Sequence, residues 1–188
     1  MRVYVIDNGG QWTHREWRVL KYLNVDAQIV PNTTPVEKLK DADALVLSGG
    51  APSIAYEKQK LGNQDLYLKE LDVPLLGICV GAQFIAEFFG GFSSTAKYPE
   101  YGKTEVFIDE HDELFAGLPD RIVVWESHND EIKELGNELI ALAHSRNCRY
   151  QAIKHRSKPV YGVQFHPEVQ HTEYGEDIFN NFLALAKK

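Results

Sequence analysis

The chain has 188 residues, a length for one domain with room for a sizeable core. Its 44% hydrophobic and 25% charged content is that of a globular protein rather than a disordered one, and its net charge of −7 lacks the basic footprint of a nucleic-acid or anionic-membrane binder. No apolar run is long enough to span a bilayer, the opening Met1–Asp7 does not read as a signal peptide, and Cys79 and Cys148 are expected as reduced thiols of a cytoplasmic protein.

Strands and helices alternate through the first half. Arg2–Asp7 reads as a buried strand closed by Asn8-Gly9-Gly10, and Gln11–Leu23 as a helix carrying Trp12, Trp17, Leu20 and Leu23 on helical spacing. Asp26–Pro31 is a second strand. Thr34-Pro35-Val36-Glu37 fits a capping box with Pro at the first helical position. Ala44–Leu47 is a third strand ending in Ser48-Gly49-Gly50, Gln59–Leu71 a helix, Pro74–Ile78 a fourth strand, and Val80–Phe89 a helix. This alternation predicts an α/β fold, an open and mostly parallel twisted sheet with helices on both faces. In the second half, Thr104–Asp109, Arg121–Glu126, Glu138–Ala143, Arg149–Lys154 and Val160–Phe165 read as strands joined by short turns, a smaller antiparallel portion. Tyr174–Lys187 closes the chain as an amphipathic helix. No repeat, low-complexity stretch or linker divides it.

Chemistry concentrates at three places. In Gly77-Ile78-Cys79-Val80-Gly81 a strand enters, a helix leaves, and a nucleophile sits at the bend between glycines that allow a sharp turn. The thiol then lies at a helix N-terminus, which favours thiolate, and the Val80 N–H points where an oxyanion would form. The competing expectation is a small buried Cys that merely packs. His166-Pro167-Glu168, just past a strand end, supplies a base and a carboxylate to orient it, and strand ends on one sheet edge converge in space. Viewed alone, this segment reads better as a solvated surface loop. Ser48-Gly49-Gly50 offers unobstructed backbone N–H groups. His14 and His155 sit among charges, and His111 and His144 read as turn or surface positions. No GxGxxG follows the first strand, no GxxxxGK[ST] loop occurs, and no metal-ligand spacing is present.

Together these segments resemble the class I (triad-type) glutamine amidotransferases, whose GxCxG elbow and HPE element match Gly77–Gly81 and His166–Glu168. The resemblance covers the whole chain. Within the family it is strongest to the branch serving GMP synthases, through Ile6–Gln11, Trp125–Glu131 and His166–Gly175. It implies a Cys79-His166-Glu168 triad that hydrolyses glutamine, with Gly50 and Val80 holding the oxyanion. It further implies that Gln83, Ser127 and His128 grip the substrate and that Asp130 signals to a partner. That partner would be a separate synthetase (ATP pyrophosphatase) subunit, carrying the ATP and Mg²⁺, so this chain needs no cofactor of its own. Alternatives are a glutaminase for anthranilate or carbamoyl phosphate synthase, or a non-catalytic domain on the same elbow. Ala82 stands where many relatives have His, which implies an altered surface beside the nucleophile on the side facing the partner.

Overall fold

The computed structural model describes residues 1–187. Nine strands form one sheet: β1 (Arg2–Asn8), β2 (Asp26–Pro31), β3 (Ala44–Gly50), β4 (Leu75–Ile78), β5 (Phe92–Ile108), β6 (Arg121–Glu134), β7 (Leu139–Ser145), β8 (Ala152–His155) and β9 (Val160–Val163). Their order is β2-β1-β3-β4-β9-β8-β7-β5-β6. Every pair from β2 to β9 is parallel and every pair from β9 to β6 antiparallel, so β9 is the seam between the two halves.

Four helices cover the sheet: α1 (Thr13–Tyr22), α2 (Gln64–Glu70), α3 (Val80–Phe88) and α4 (Gly175–Ala186). Alternation along the strands divides the core by face. Val3, Val5, Val46, Leu76 and Ile78 pack with Leu20 of α1 and with Ile178, Phe179 and Phe182 of α4. Tyr4, Ile6, Leu45, Leu47 and Leu75 pack with Tyr67 and Leu68 of α2 and with Val80, Phe84 and Ile85 of α3. The expected α/β sheet with helices on both faces is therefore present, and the antiparallel strands continue the same sheet. No helix among the described residues is long and apolar enough to cross a membrane.

Several local expectations change. The capping box does not form: the Thr34 hydroxyl donates to the Pro31 carbonyl at 2.6 Å, and Val36–Leu39 is a single 3-10 turn. The expected helix Gln59–Leu71 is broken into a 3-10 turn (Lys58–Leu61) and α2, because Gly62 sits at φ +64° against the Asn32 carbonyl. β5 and β6 run far beyond their expected ends and pair from Phe92↔Glu134 to Phe107↔Arg121. Cys148 does not open a strand; it lies in the turn before β8, where Ser145 N–H donates to its carbonyl at 2.8 Å.

Candidate active site

Cys79 lies between β4 and α3 at φ +53° and ψ −110°. A side chain resists positive φ, so the bend is imposed by its surroundings. A Cβ on Gly77 would come within 2.6 Å of the Gly81 backbone, and one on Gly81 within 2.4 Å of the Leu47 carbonyl oxygen. Only glycines let the elbow close this tightly. The Cys79 N–H donates to the β9 residue Val163 at 2.8 Å, and Gln83 N–H donates to the Cys79 carbonyl at 3.1 Å. Strand and helix thus hold Cys79 from both sides.

β9 lies beside β4, so the segment leaving β9 delivers His166 and Glu168 next to the elbow. Both residues are buried, not solvated. His166 Nδ1 and Glu168 Oε1 are 2.6 Å apart, which fixes the ring and leaves Nε2 for chemistry. That buried Nε2 has no hydrogen-bond partner among the described residues. Burial opposes charge on His166, but the Glu168 carboxylate and the Cys79 sulfur outweigh it and raise its pKa well above the ordinary value. Gly49 measures how closely His166 and Cys79 approach: a Cβ there would lie 3.0 Å from His166 Cε1 and 3.6 Å from Cys79 Cβ.

Two hollows, of about 330 and 450 Å³, meet at Gly50, Ala51, Cys79 and Ser127. The smaller also touches Gly10, Trp12, Glu16, His166 and Glu168; the larger touches Val80, Gln83, His128 and Asp130. All nine anticipated residues therefore border one continuous cleft, but in different ways. The Ser127 carbonyl accepts the Cys79 S–H at 3.8 Å. The Gln83 amide donates to the Asp130 carbonyl at 2.9 Å and to Gln164 Oε1 at 3.0 Å. Asp130 accepts the Ser53 hydroxyl at 2.6 Å, fastening the loop after Gly50 across the larger hollow.

His128 commits both ring nitrogens inward. Nδ1 is 2.8 Å from the Asp130 carbonyl, while Nε2 is 2.8 Å from Glu100 and 3.3 Å from Glu126. Burial disfavours its charge, yet the hydrogen bonds to Glu100 and Glu126 raise its pKa to about 10. Glu100 also accepts from Ser145 at 2.6 Å and Gln151 at 2.9 Å. Glu100, His128 and Cys148 bring potential metal-ligand atoms within 4.8 Å of one another. Three donors already occupy the Glu100 carboxylate, however, so hydrogen bonds account for the cluster.

Other expectations are corrected by burial. Ala82 does not form a partner-facing surface: it is buried, with its Cβ 2.9 Å from where a Cβ on Gly162 of β9 would stand. His155 is buried too, 2.9 Å from Glu138 and packed on the Phe89 ring at 4.7 Å. Burial pushes the Cys148 thiol far above the ordinary range, which suits a packed, inert cysteine.

Four contributors were not anticipated. Gln164 donates to Cys79 Sγ at 3.5 Å. The Trp12 ring stands edge-on to His166 at 4.6 Å. The Thr172 hydroxyl donates to the His166 carbonyl at 2.7 Å and accepts the Trp125 N–H at 2.9 Å, tying the base to β6. Glu16 reaches the smaller hollow from α1. Its sequence signal is a charge at the helical spacing of Thr13 and Leu20, both buried.

Comparison with known proteins agrees with this geometry. Residues 4–186 match the family model "Glutamine amidotransferase class-I". The chain is 54% identical to a Thermoplasma volcanium protein named as a subunit of glutamine-hydrolyzing GMP synthase, over 100% of this chain and 93% of that one. It is 51% identical to a protein of the same name from Picrophilus torridus, over the full length of both. The crystal structure of a Thermoplasma acidophilum protein described as a GMP synthase subunit superposes with a TM-score of 0.96 at 52% identity, covering 100% of this chain and 94% of that one. With a GxCxG bend between β4 and α3, an HPE segment after β9 and a family match along nearly its whole length, the chain belongs to the class-I glutamine amidotransferases.

Proposed function

We infer that this chain is the glutamine-hydrolysing subunit of a two-subunit GMP synthase, releasing ammonia for a separate synthetase subunit that aminates XMP. The observation that carries the reading is the buried Cys79-His166-Glu168 assembly, in a chain about half identical over its length to subunits of that name.

In this mechanism His166 Nε2 takes the Cys79 proton and the thiolate attacks the side-chain carbonyl carbon of glutamine. Negative charge gathers on the carbonyl oxygen, facing the N–H groups of Gly50 and Val80. Gly49 N–H is already given to Glu16 Oε1 at 3.2 Å, which favours Gly50 as the donor of the glycine pair. The C–N bond breaks as His166 returns its proton to the leaving nitrogen, giving ammonia and a γ-glutamyl thioester. Water then attacks the thioester while His166 removes its proton; the C–S bond breaks and glutamate leaves. Glu168 orients the ring and stabilises its cation throughout. Gln83, Ser127 and the His128 backbone border the hollow assigned to the amino-acid end of the substrate, and Asp130 links that hollow to the Ser53 loop and the partner. ATP, Mg²⁺ and XMP belong to the synthetase subunit in this reading. The setting is cytoplasmic, where the Cys79 thiol stays reduced.

The test uses Cys79→Ala. Glutamine-dependent XMP amination by the reconstituted complex should vanish, while ammonia-dependent amination survives. Glutamine hydrolysis by the variant, or labelling of Cys148 rather than Cys79 by an alkylating glutamine analogue, would refute the assignment.

A further inference from the structure

Glu16 lies on the stripe of α1 that faces the sheet, between Thr13 and Leu20, and is 1% exposed. One carboxyl oxygen, Oε1, accepts the Gly49 N–H at 3.2 Å. The other, Oε2, is buried without a hydrogen-bond partner among the described residues, and Glu168 Oε2 is in the same condition. Both carboxyls border the hollow that holds Cys79 and His166. Two buried carboxylates bordering one hollow repel each other, and the repulsion is relieved when one of them carries a proton.

The balance of the groups around Glu16 points to Glu16 as the one that does. Burial and the Glu168 charge raise its pKa well above the usual carboxylate range, and Cys79 of the β4–α3 elbow adds to the rise. The Gly49 N–H of β3 and the His166 ring oppose it and are outweighed. The backbone that Glu16 grips cannot move freely. A Cβ on Gly10 would lie 2.4 Å from the Gly49 carbonyl oxygen, and the Asn8 amide donates to the Ser48 carbonyl at 2.8 Å. Glu16 therefore holds Gly49 from the α1 side while the end of β1 holds it from the other.

We propose that Glu16 is a positioning residue for glutamine hydrolysis: as a neutral carboxylic acid it accepts the Gly49 N–H, fixes the Gly49–Gly50 backbone beside Cys79, and leaves Glu168 as the one carboxylate that charges His166. The proposal rests on the glutaminase reading above. It concerns kcat rather than substrate affinity, because a displaced oxyanion donor is felt chiefly in the transition state.

Glu16→Gln keeps an acceptor for Gly49 without a charge; Glu16→Leu removes the acceptor. With the full-length protein and its partner, the Gln variant should stay within about threefold of the parent in kcat. The Leu variant should lose about tenfold or more in kcat with KM within about twofold, as for other mispositioned oxyanion donors. A carboxylic-acid carbonyl stretch should appear at neutral pH in infrared spectra of protein carrying ¹³C-labelled glutamate, and should vanish in Glu16→Gln. Parental kcat in the Leu variant overturns the positioning role. An equal loss in both variants, or no band assignable to Glu16, overturns its neutral form. If the Leu variant fails to fold, the infrared band and the Gln kinetics still decide. If the parent protein hydrolyses no glutamine, the glutaminase reading fails, and the band remains an independent test of the protonated Glu16.

Discussion

At Gly49, Cys79 and His166 leave scant room for a side chain. Gly49→Ala would place a methyl group 3.0 Å from His166 Cε1, and either the ring or the strand must yield by tenths of an ångström. The expected result is a fold close to the parent with kcat reduced about 10- to 100-fold, read from steady-state kinetics beside a melting curve. Gly50→Ala is harsher, because its Cβ would fall 2.3 Å from the Asn8 carbonyl oxygen; it should destabilise the protein by about 1–3 kcal/mol in denaturant titration. His128 sets a pH window. Its pKa rises from 6.5 to about 10 on folding, so its pairing with Glu100 and Glu126 contributes fully below pH 6.5 and is lost as the pH climbs through about 10. The melting temperature should accordingly decline across this interval, and His128→Gln should flatten the decline. At this scale the sequence pointed to the residues that meet around Cys79, because elbow glycines and an HPE segment are local patterns. It did not carry Gln164, Trp12 or Thr172, whose roles arise only when β9, α1 and the loop before α4 close around one cavity.

At the scale of elements, the first half was readable because each buried parallel strand is an apolar run bounded by turn residues. The missed portion of β5 contains Pro99 and Gly102 among Ser, Thr, Lys and Glu, and neither propensity nor alternation marks it as strand. Pairing with β6 makes it one. The register even shifts between Thr95 and Glu100, where residues 96–99 bulge opposite the Asp130–His128 segment. The broken helix before β4 has a different origin. Helical spacing continues past Gly62, but tertiary contact with Asn32 demands a left-handed residue there. Gly62→Ala combines positive φ with a Cβ 2.3 Å from the Asn32 carbonyl oxygen, so it should cost about 1–3 kcal/mol. Since Gly62 borders neither hollow, glutamine hydrolysis per folded molecule should be unchanged, and an activity assay corrected for the folded fraction checks this. A rule of helix periodicity cannot anticipate such a break, because the reason for it lies thirty residues upstream.

For the molecule as a whole, the net charge of −7 favours a partner with a complementary basic face. Association with the proposed synthetase subunit should weaken as salt rises well above about 0.1 M, where screening shortens to about 10 Å. Glutamine hydrolysis by the separate chain should be slow and should accelerate when the nucleotide-loaded synthetase is added; an identical rate with and without it would argue against coupling. The seam of the sheet also has a bearing on how the protein is made. β4 finds one neighbour in β3, about thirty residues earlier, but its other neighbour is β9, whose pairing joins Leu75 to Val160 and Ile78 to Val163. A growing chain that has not yet reached β9 carries β4 as an open apolar edge, prone to stray pairing. It also lacks His166 and Glu168, the proposed base and its orienting carboxylate. Because closing a long loop is slow, this pairing belongs late in folding. On the proposed mechanism, then, chemistry waits for the segment that follows the last strand, and a chain halted before Val160 should be both inert and prone to aggregate through its open edge.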